Sequence, residues 1–241
     1  LLAHGDAALA PDAALAFAAD MARRADGVPL AQITGQREFH GLALSVTPDV
    51  LDPRPDTEVL VDWALALLAG PLADEPAPRV IDLGTGSGAI ALAVKHACPR
   101  ARVLATDTSA AALAVAAGNA QRLGLEVEWS LRDWWRGLAP AAAHLVLGNP
   151  PYIAANDPHL AALRHEPLAA LTPGGDGLGA LQCIVDGAPP HLQPGAWLLL
   201  EHGHDQAARV QQMLAERGFG AVQTRADLAG HGRCSGGRWP G

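Results

Sequence analysis

Val80-Ile81-Asp82-Leu83-Gly84-Thr85-Gly86-Ser87-Gly88 is the stretch on which the reading of this chain turns. It begins with β-branched apolar residues suited to a buried strand and reaches an acidic residue. Glycines then alternate with small hydroxyl residues up to a helical stretch opening at Ala89. A strand that passes through such a loop into a helix exposes backbone N–H groups, and glycine lets a ligand approach them closely. The spacing is GxGxG rather than the GxGxxG of dinucleotide-binding folds, and Asp82 at the strand end suits an ammonium better than a pyrophosphate. The plain alternative is a tight strand-to-helix turn with no ligand.

Downstream of this loop the pattern keeps alternating. Val103-Leu104-Ala105-Thr106-Asp107 reads as a strand, followed by a helix from Ser109, a strand at Val127-Glu128-Trp129, and another at Leu145-Val146-Leu147-Gly148-Asn149. A helix over 178–191 leads to the strand Trp197-Leu198-Leu199-Leu200-Glu201, and a helix over 205–217 stops at Gly218. Short strands around Ala221-Val222-Gln223-Thr224 and Gly237-Arg238-Trp239 close the sheet as an antiparallel hairpin. The fold class is α/β, with a doubly wound, mostly parallel sheet.

Upstream, residues 1–27 read as one or two helices, with a start at Pro11-Asp12 and an apolar stripe of Leu15, Ala18, Ala19 and Ala22. Extended runs on either side of His40-Gly41 predict a β-hairpin. The rigid Asp52-Pro53-Arg54-Pro55-Asp56-Thr57-Glu58 supplies an N-cap for a helix that buries Leu60, Ala64, Leu67 and Leu68, and the proline-rich residues 71–78 end it. The chain therefore divides into a helical piece over 1–28, a hairpin linker over 29–52 and the main domain over 53–241.

Composition narrows the function. With 49% hydrophobic and 17% charged residues the chain is globular. A formal net charge of −8, with no basic run longer than Arg23-Arg24, lacks the electrostatic footprint of a nucleic-acid binder. Its 3 cysteines show no CxxC spacing and read as reduced thiols, and no metal site is expected from His202 and His204, which lack the spacing and partners of a zinc enzyme. Neither a membrane-length apolar run nor a signal peptide is present, so a soluble, cytoplasmic protein is expected. A GxSxG elbow and a P-loop lysine are both missing, which leaves nucleophilic hydrolysis and phosphoryl transfer unsupported.

Three positions carry chemistry besides the glycine loop. Asp107 ends the second strand, where an acidic residue accepts hydrogen bonds from ribose hydroxyls; Thr108 and Ser109 are better placed to cap the helix that follows. Trp134, beyond the third strand, is placed to pack on an adenine ring, although Trp134 and Trp135 equally suit a core. Gly148-Asn149-Pro150-Pro151-Tyr152 lies at the carboxyl end of the fourth strand, the edge at which open sheets bind ligands. Its prolines remove two donors and hold the chain extended, leaving the Asn149 side-chain oxygen and the Pro150 carbonyl as two acceptors for the two hydrogens of a substrate –NH2. An amide nitrogen is a poor nucleophile, so fixing both hydrogens aims it and drains charge that develops on it, with Tyr152 covering the planar group. A rigid strand-ending turn is the structural alternative.

On these motifs the chain resembles the HemK/PrmC family of release factor glutamine methyltransferases. The resemblance runs nearly end to end: residues 29–41 match the family's PxxxxxGxxxFxG linker, 53–58 its PRP(E/D)TE signature, 82–88 its DLGTGSG loop and 149–152 its NPPY. It implies a class I S-adenosylmethionine-dependent methyltransferase fold, Rossmann-like, with a seven-stranded sheet. The cofactor, S-adenosyl-L-methionine, would rest on Gly84, Thr85, Gly86, Ser87, Gly88, Asp107, Trp134 and Asn149. The substrate glutamine, that of the GGQ motif in class 1 peptide chain release factors, would rest on Asn149, Pro150, Pro151 and Tyr152, with Asn149, Pro150 and Tyr152 catalytic. Residues 1–28 would be the remnant of an N-terminal helical domain, and the expected state is a monomer acting on protein, without nucleic-acid or membrane partners. NPPY alone also fits adenine-N6 or guanine-N2 methyltransferases, and a non-catalytic cofactor-binding module is the third reading. Asp52 replaces an aliphatic residue and Leu228 a frequent aromatic, neither expected to touch the chemistry; Glu201 and Gly203 keep the family's ExG, read as structural and near the cofactor.

Overall fold

The computed structural model describes residues 10–141 and 143–241; the helical reading of residues 1–9 lies outside them. Helix α1 (Pro11–Ala25) starts where Pro11 presets the backbone at a position whose N–H needs no partner. None of its residues is buried, so the stripe of Leu15, Ala18, Ala19 and Ala22 faces outward in the described chain. A short helix α2 (Leu30–Thr34) leads to the hairpin of β1 (Gln36–Phe39) and β2 (Leu42–Ser45). At its turn His40 (φ 49°) and Gly41 (φ 79°) are both left-handed, the geometry whose twist matches a two-residue hairpin.

The hairpin is not a free linker. Phe39, Leu42 and Leu44 enter the same core as the sheet, each contributing about 1.5–3 kcal/mol by burial. The fully buried Asn119 accepts from the Ser45 N–H at 2.7 Å and donates to the carbonyls of Ser45 (3.1 Å) and Ser87 (2.9 Å), joining hairpin and glycine loop.

After a single 3-10 turn at Pro55–Thr57 comes α3 (Glu58–Ala69), burying Leu60, Ala64, Leu67 and Leu68 as expected, together with Val61 and Trp63. Thr57 makes no capping hydrogen bond to this helix, contrary to the expected N-cap, because its hydroxyl is engaged elsewhere. The alternating part follows as β3 (Arg79–Leu83), α4 (Ala89–Ala97), β4 (Arg102–Asp107), α5 (Ala110–Leu123), β5 (Glu128–Leu131) and β6 (Ala143–Gly148). Residues 153–177, given no element above, hold a 3-10 stretch at Pro158–Leu163 and the short α6 (Leu168–Leu171). Then come α7 (Gly179–Gly187), β7 (Leu192–Glu201), α8 (Ala207–Glu216), β8 (Gly220–Ala226) and β9 (Gly232–Arg238). Helix α7 ends short of the expected 191 because Pro189 and Pro190 carry no N–H to continue it.

The seven strands lie in the order β5-β4-β3-β6-β7-β9-β8; the first five are parallel and β9 is antiparallel to both neighbours. From β3 the chain winds outward through β4 and β5, then returns across to β6 on the other side of β3. That reversal sets the site.

Candidate active site

At a reversal of strand order the connections leave on opposite faces, and a crevice opens beyond the strand ends. Here the ends belong to β3 and β6, which pair with Leu83 opposite Gly148. The glycine loop and Asn149 therefore leave the sheet side by side.

Gly84 and Thr85 both donate their N–H to the Thr106 carbonyl at 2.9 Å, folding the loop back toward β4. Asp107 holds it there: its carboxylate accepts from the Gly86 N–H at 2.9 Å and the Ser109 N–H at 2.8 Å. A carboxylate has about four lone-pair positions, so two remain for a ligand's hydroxyls. Ser109, as expected, caps α5 by accepting from Ala112 at 3.1 Å.

Asp82 plays a different part from the one its position suggests. It is fully buried and does not line the crevice; one oxygen accepts from Thr85 at 2.6 Å and from Ala91 at 3.2 Å, bracing the loop and the first turn of α4 from behind. Burial, opposed by those bonds, makes it a weaker acid, with its pKa pushed up to about 7.

Gly84, Thr85, Gly86, Ser87, Asp107, Trp134 and Asn149 together line a cavity of about 260 Å³. Gly88 does not: at φ 85°, its Cβ position would lie 3.2 Å from the Ala116 side chain, so it is a glycine for the close packing of α4 on α5. Trp134 and Trp135 divide the two roles left open for them. Trp135 is buried, bonded through its indole N–H to the Ile184 carbonyl at 3.0 Å and stacked on His191. Trp134, held in a left-handed conformation (φ 43°), presents its ring to the cavity beside Gly84, with Arg132. A non-glycine residue in that region is strained, and strain of this kind concentrates at ligand sites.

A second cavity, of about 360 Å³, adjoins the first through Leu51, Arg54, Asn149 and Ala170 and is lined by Pro150 and Tyr152. Pro151 turns toward the first cavity instead, since alternate residues of an extended segment point to opposite sides. Pro150 and Tyr152 thus line the cavity away from the glycine loop, while Asn149 lines both cavities.

Several groups behind this wall escaped the sequence reading. Asn149 donates through Nδ2 to the Thr57 hydroxyl at 3.2 Å, and Tyr152 donates its hydroxyl to Glu201 at 3.2 Å. Glu201 is buried and lines neither cavity, so its place is behind Tyr152 and Thr57 rather than at the cofactor side. Burial, against the help of Thr57 and Tyr152, pushes its carboxyl up to about 7, and burial together with Glu201 raises the Tyr152 phenol above its ordinary range. Asp56 pairs with Arg233 of β9 at 3.1 Å. The buried Glu166 pairs with Arg54 and accepts from the Asp52 N–H at 3.1 Å, while the Asp52 carboxylate stands 3.5 Å from Arg37 and 3.7 Å from Arg54. These contacts pin residues 163–171, which roof both cavities, onto the 52–57 segment. Asp52 itself lines neither cavity.

The first cavity therefore offers loop N–H groups at a helix start, an acidic residue with free lone pairs, an indole face and the apolar Ile90 and Ala112, donors and surfaces that fit an adenosine bearing an amino-acid tail. The sequence profile described as the methyltransferase small domain matches residues 57–178. A release factor glutamine methyltransferase from Bordetella pertussis is 52% identical over 240 residues, which cover 98% of this chain and 87% of that protein. The protein of the same name from Burkholderia pseudomallei is 49% identical over 250 residues, covering 100% and 86%. Among solved structures, a methyltransferase from Pyrococcus furiosus superposes with a TM-score of 0.59 at 16% identity, covering 83% of this chain and 90% of that one, a likeness of fold alone. The chain belongs to the HemK/PrmC family of release factor glutamine methyltransferases, on a class I S-adenosylmethionine-dependent fold.

Proposed function

We propose that this chain methylates the side-chain amide nitrogen (N5) of the glutamine in the GGQ motif of class 1 peptide chain release factors. The observation that carries this reading is the meeting of the two cavities at Asn149, whose nitrogen donates to Thr57 and whose oxygen has no donor among the described residues. The relatives' shared name supports the substrate.

S-adenosylmethionine supplies a methyl made electrophilic by its sulfonium. In our reading Gly84, Thr85, Gly86 and Ser87 hold it through the loop, Asp107 through its ribose hydroxyls and Trp134 through its adenine. Asn149 Oδ1 and the Pro150 carbonyl accept the two amide hydrogens, which aligns the nitrogen and stabilises charge that builds on it as the N–C bond forms and the S–C bond breaks. The proton then leaves the nitrogen to solvent, and no side chain in the second cavity is required as a strong base. Tyr152 covers the planar amide, its phenol held protonated beside Glu201.

Residues 53–241 act as the catalytic body in this reading, and the absence of buried residues on α1 supports treating residues 1–28 as a separate piece. The net charge of −8 supports a protein rather than a nucleic-acid substrate, and we read the protein as a cytoplasmic monomer. Among the described residues no helix is long and apolar enough to cross a membrane.

The test is peptide mass spectrometry of a class 1 release factor incubated with the protein and S-adenosylmethionine, with duplex DNA and structured RNA in parallel. One methyl on the GGQ glutamine is expected. Transfer to nucleic acid alone would overturn the reading.

A further inference from the structure

The proposed transfer needs the Pro150 carbonyl and the Tyr152 ring held still relative to Asn149, yet the segment that carries them is short of anchors. Pro150 and Pro151 have no N–H, so two of the donors that usually tie a backbone down are missing. Past them, the Ile153 N–H reaches the Leu171 carbonyl at 3.0 Å. Another group must fix the stretch between.

We infer that Gln206 is a positioning residue for the transfer, holding Tyr152 and with it the Pro150 carbonyl by donating to the main chain of Tyr152; the inference rests on the reading of residues 149–152 as the acceptor site. Gln206 stands just before α8 and lines neither cavity, so it acts through another residue. Its Nε2 donates to the Tyr152 carbonyl at 2.9 Å, and its Oε1 accepts from the Gly203 N–H at 2.9 Å. A backbone carbonyl only accepts and a backbone N–H only donates, so these partners leave the Gln206 amide one orientation. The Gln206 N–H closes the same turn by donating to the Gly203 carbonyl at 2.9 Å. Gly177, at φ 84°, lies so near the Tyr152 carbonyl that a side chain there would overlap it, so the space around that oxygen is closely filled. At the other end of Tyr152 the hydroxyl bonds to Glu201 at 3.2 Å. Glu201 ends β7 and Gln206 precedes α8, so one connection grips Tyr152 by both its ring tip and its main chain. Proline fixes its own φ and restricts the residue before it, so the placement set at Tyr152 carries back through Pro151 to the Pro150 carbonyl.

The two bonds of the Gln206 side chain can be removed one at a time. Gln206→Glu keeps an acceptor for Gly203 but sets an oxygen against the Tyr152 carbonyl. Gln206→Lys keeps a donor for that carbonyl and drops the acceptor. A residue that only closed the 203–206 turn would tolerate the first change and not the second, whereas a positioning role demands the reverse. At saturating S-adenosylmethionine and release factor, Gln206→Glu is expected to lower kcat about 10- to 100-fold, the effect of a misplaced reacting group, with cofactor affinity kept when measured by calorimetry. Gln206→Lys should retain most of kcat. Each variant loses one hydrogen bond, so their Tm values should fall alike and stability would not account for the difference in rate. Full kcat in Gln206→Glu, a loss in Gln206→Lys as large as in Gln206→Glu, or a loss of cofactor affinity equal to that of kcat overturns the inference. Asn149→Ala run alongside separates the two levels: if it transfers as fast as the unaltered protein, the reading of the acceptor site has failed and the inference with it, whereas if it is inactive and Gln206→Glu is not, only the role of Gln206 has.

Discussion

The wall of the crevice built on the glycine loop and the wall built on Tyr152 are held together over different distances along the chain. On the first, Asp107 reaches Gly86 and Ser109, 21 and 2 residues away, within a single strand-loop-helix unit and its neighbour. On the second, Asn149 reaches Thr57 across 92 residues, Tyr152 reaches Glu201 across 49, and Arg54 reaches Glu166 across 112. A cofactor common to a fold can be met by a local backbone pattern. A substrate amide needs acceptors aimed in one direction, and aiming requires supports from several elements.

Substitutions can break or sharpen that contrast. The largest effect is expected at the shared boundary: Asn149→Ala should lower kcat about 100- to 1000-fold, as loss of a transition-state hydrogen bond does, with cofactor affinity largely kept when measured by calorimetry. Equal loss of both would mean that Asn149 belongs to the cofactor wall alone. Next, Asp107→Ala should weaken cofactor binding about 10- to 100-fold, the worth of charged hydrogen bonds, without raising KM for the release factor separately. A change in release-factor KM at fixed, saturating cofactor would show that the walls are coupled.

Smaller still, Arg54→Ala should leave Glu166 without its cation and loosen the roof. Because Arg54 is 34% exposed, the effect is discounted to about 1–2 kcal/mol, read as roughly 10-fold faster amide hydrogen exchange across residues 158–171. Unchanged exchange there would remove the roof from the substrate wall's supports. The smallest effect per increment concerns pH. Asp82 and Glu201 each hold a proton up to about 7, above their values of 3.8 and 4.5 when unfolded, so the folded state binds more protons between those limits. Stability of the ligand-free protein should therefore fall as pH rises from about 4 to 7, by at most about 1.4 kcal/mol per unit for each group. Urea unfolding across that range should show the slope reduced in Asp82→Asn for the cofactor wall and in Glu201→Gln for the substrate wall; an unaltered slope in either removes that group from the account.

Much of the fold was legible because its signals are periodic and local. The β3 strand, the helix from Ala89 and the hairpin turn at His40-Gly41 are where their patterns placed them; the sheet does end in an antiparallel pair, but its last strand is Gly232–Arg238 rather than the expected residues around 237–239. Legibility weakened where one residue type serves two purposes. The 52–58 segment looked like a helix cap, and its Thr57 is a hydrogen-bond partner of Asn149; Asp82 looked like a ligand contact and braces the loop from behind; Gly88 looked like part of the cradle and packs against α5. Residues 153–177 had no periodic signal, since this segment follows the cavity roof rather than a helix or strand face.

The sequence by itself determined the alternating α/β framework, the glycine loop and the pair Asn149 and Tyr152 at a strand end, because strand periodicity, backbone freedom and the missing N–H of proline act within a few residues. Only the tertiary structure decided that Trp134 faces a cavity while Trp135 is core, that Pro151 turns away from Tyr152's side, and that Glu201, Thr57 and Glu166 stand behind the substrate wall. Those outcomes depend on which buried donors and acceptors meet across the sheet, and a buried polar group must find its partner wherever in the chain that partner lies.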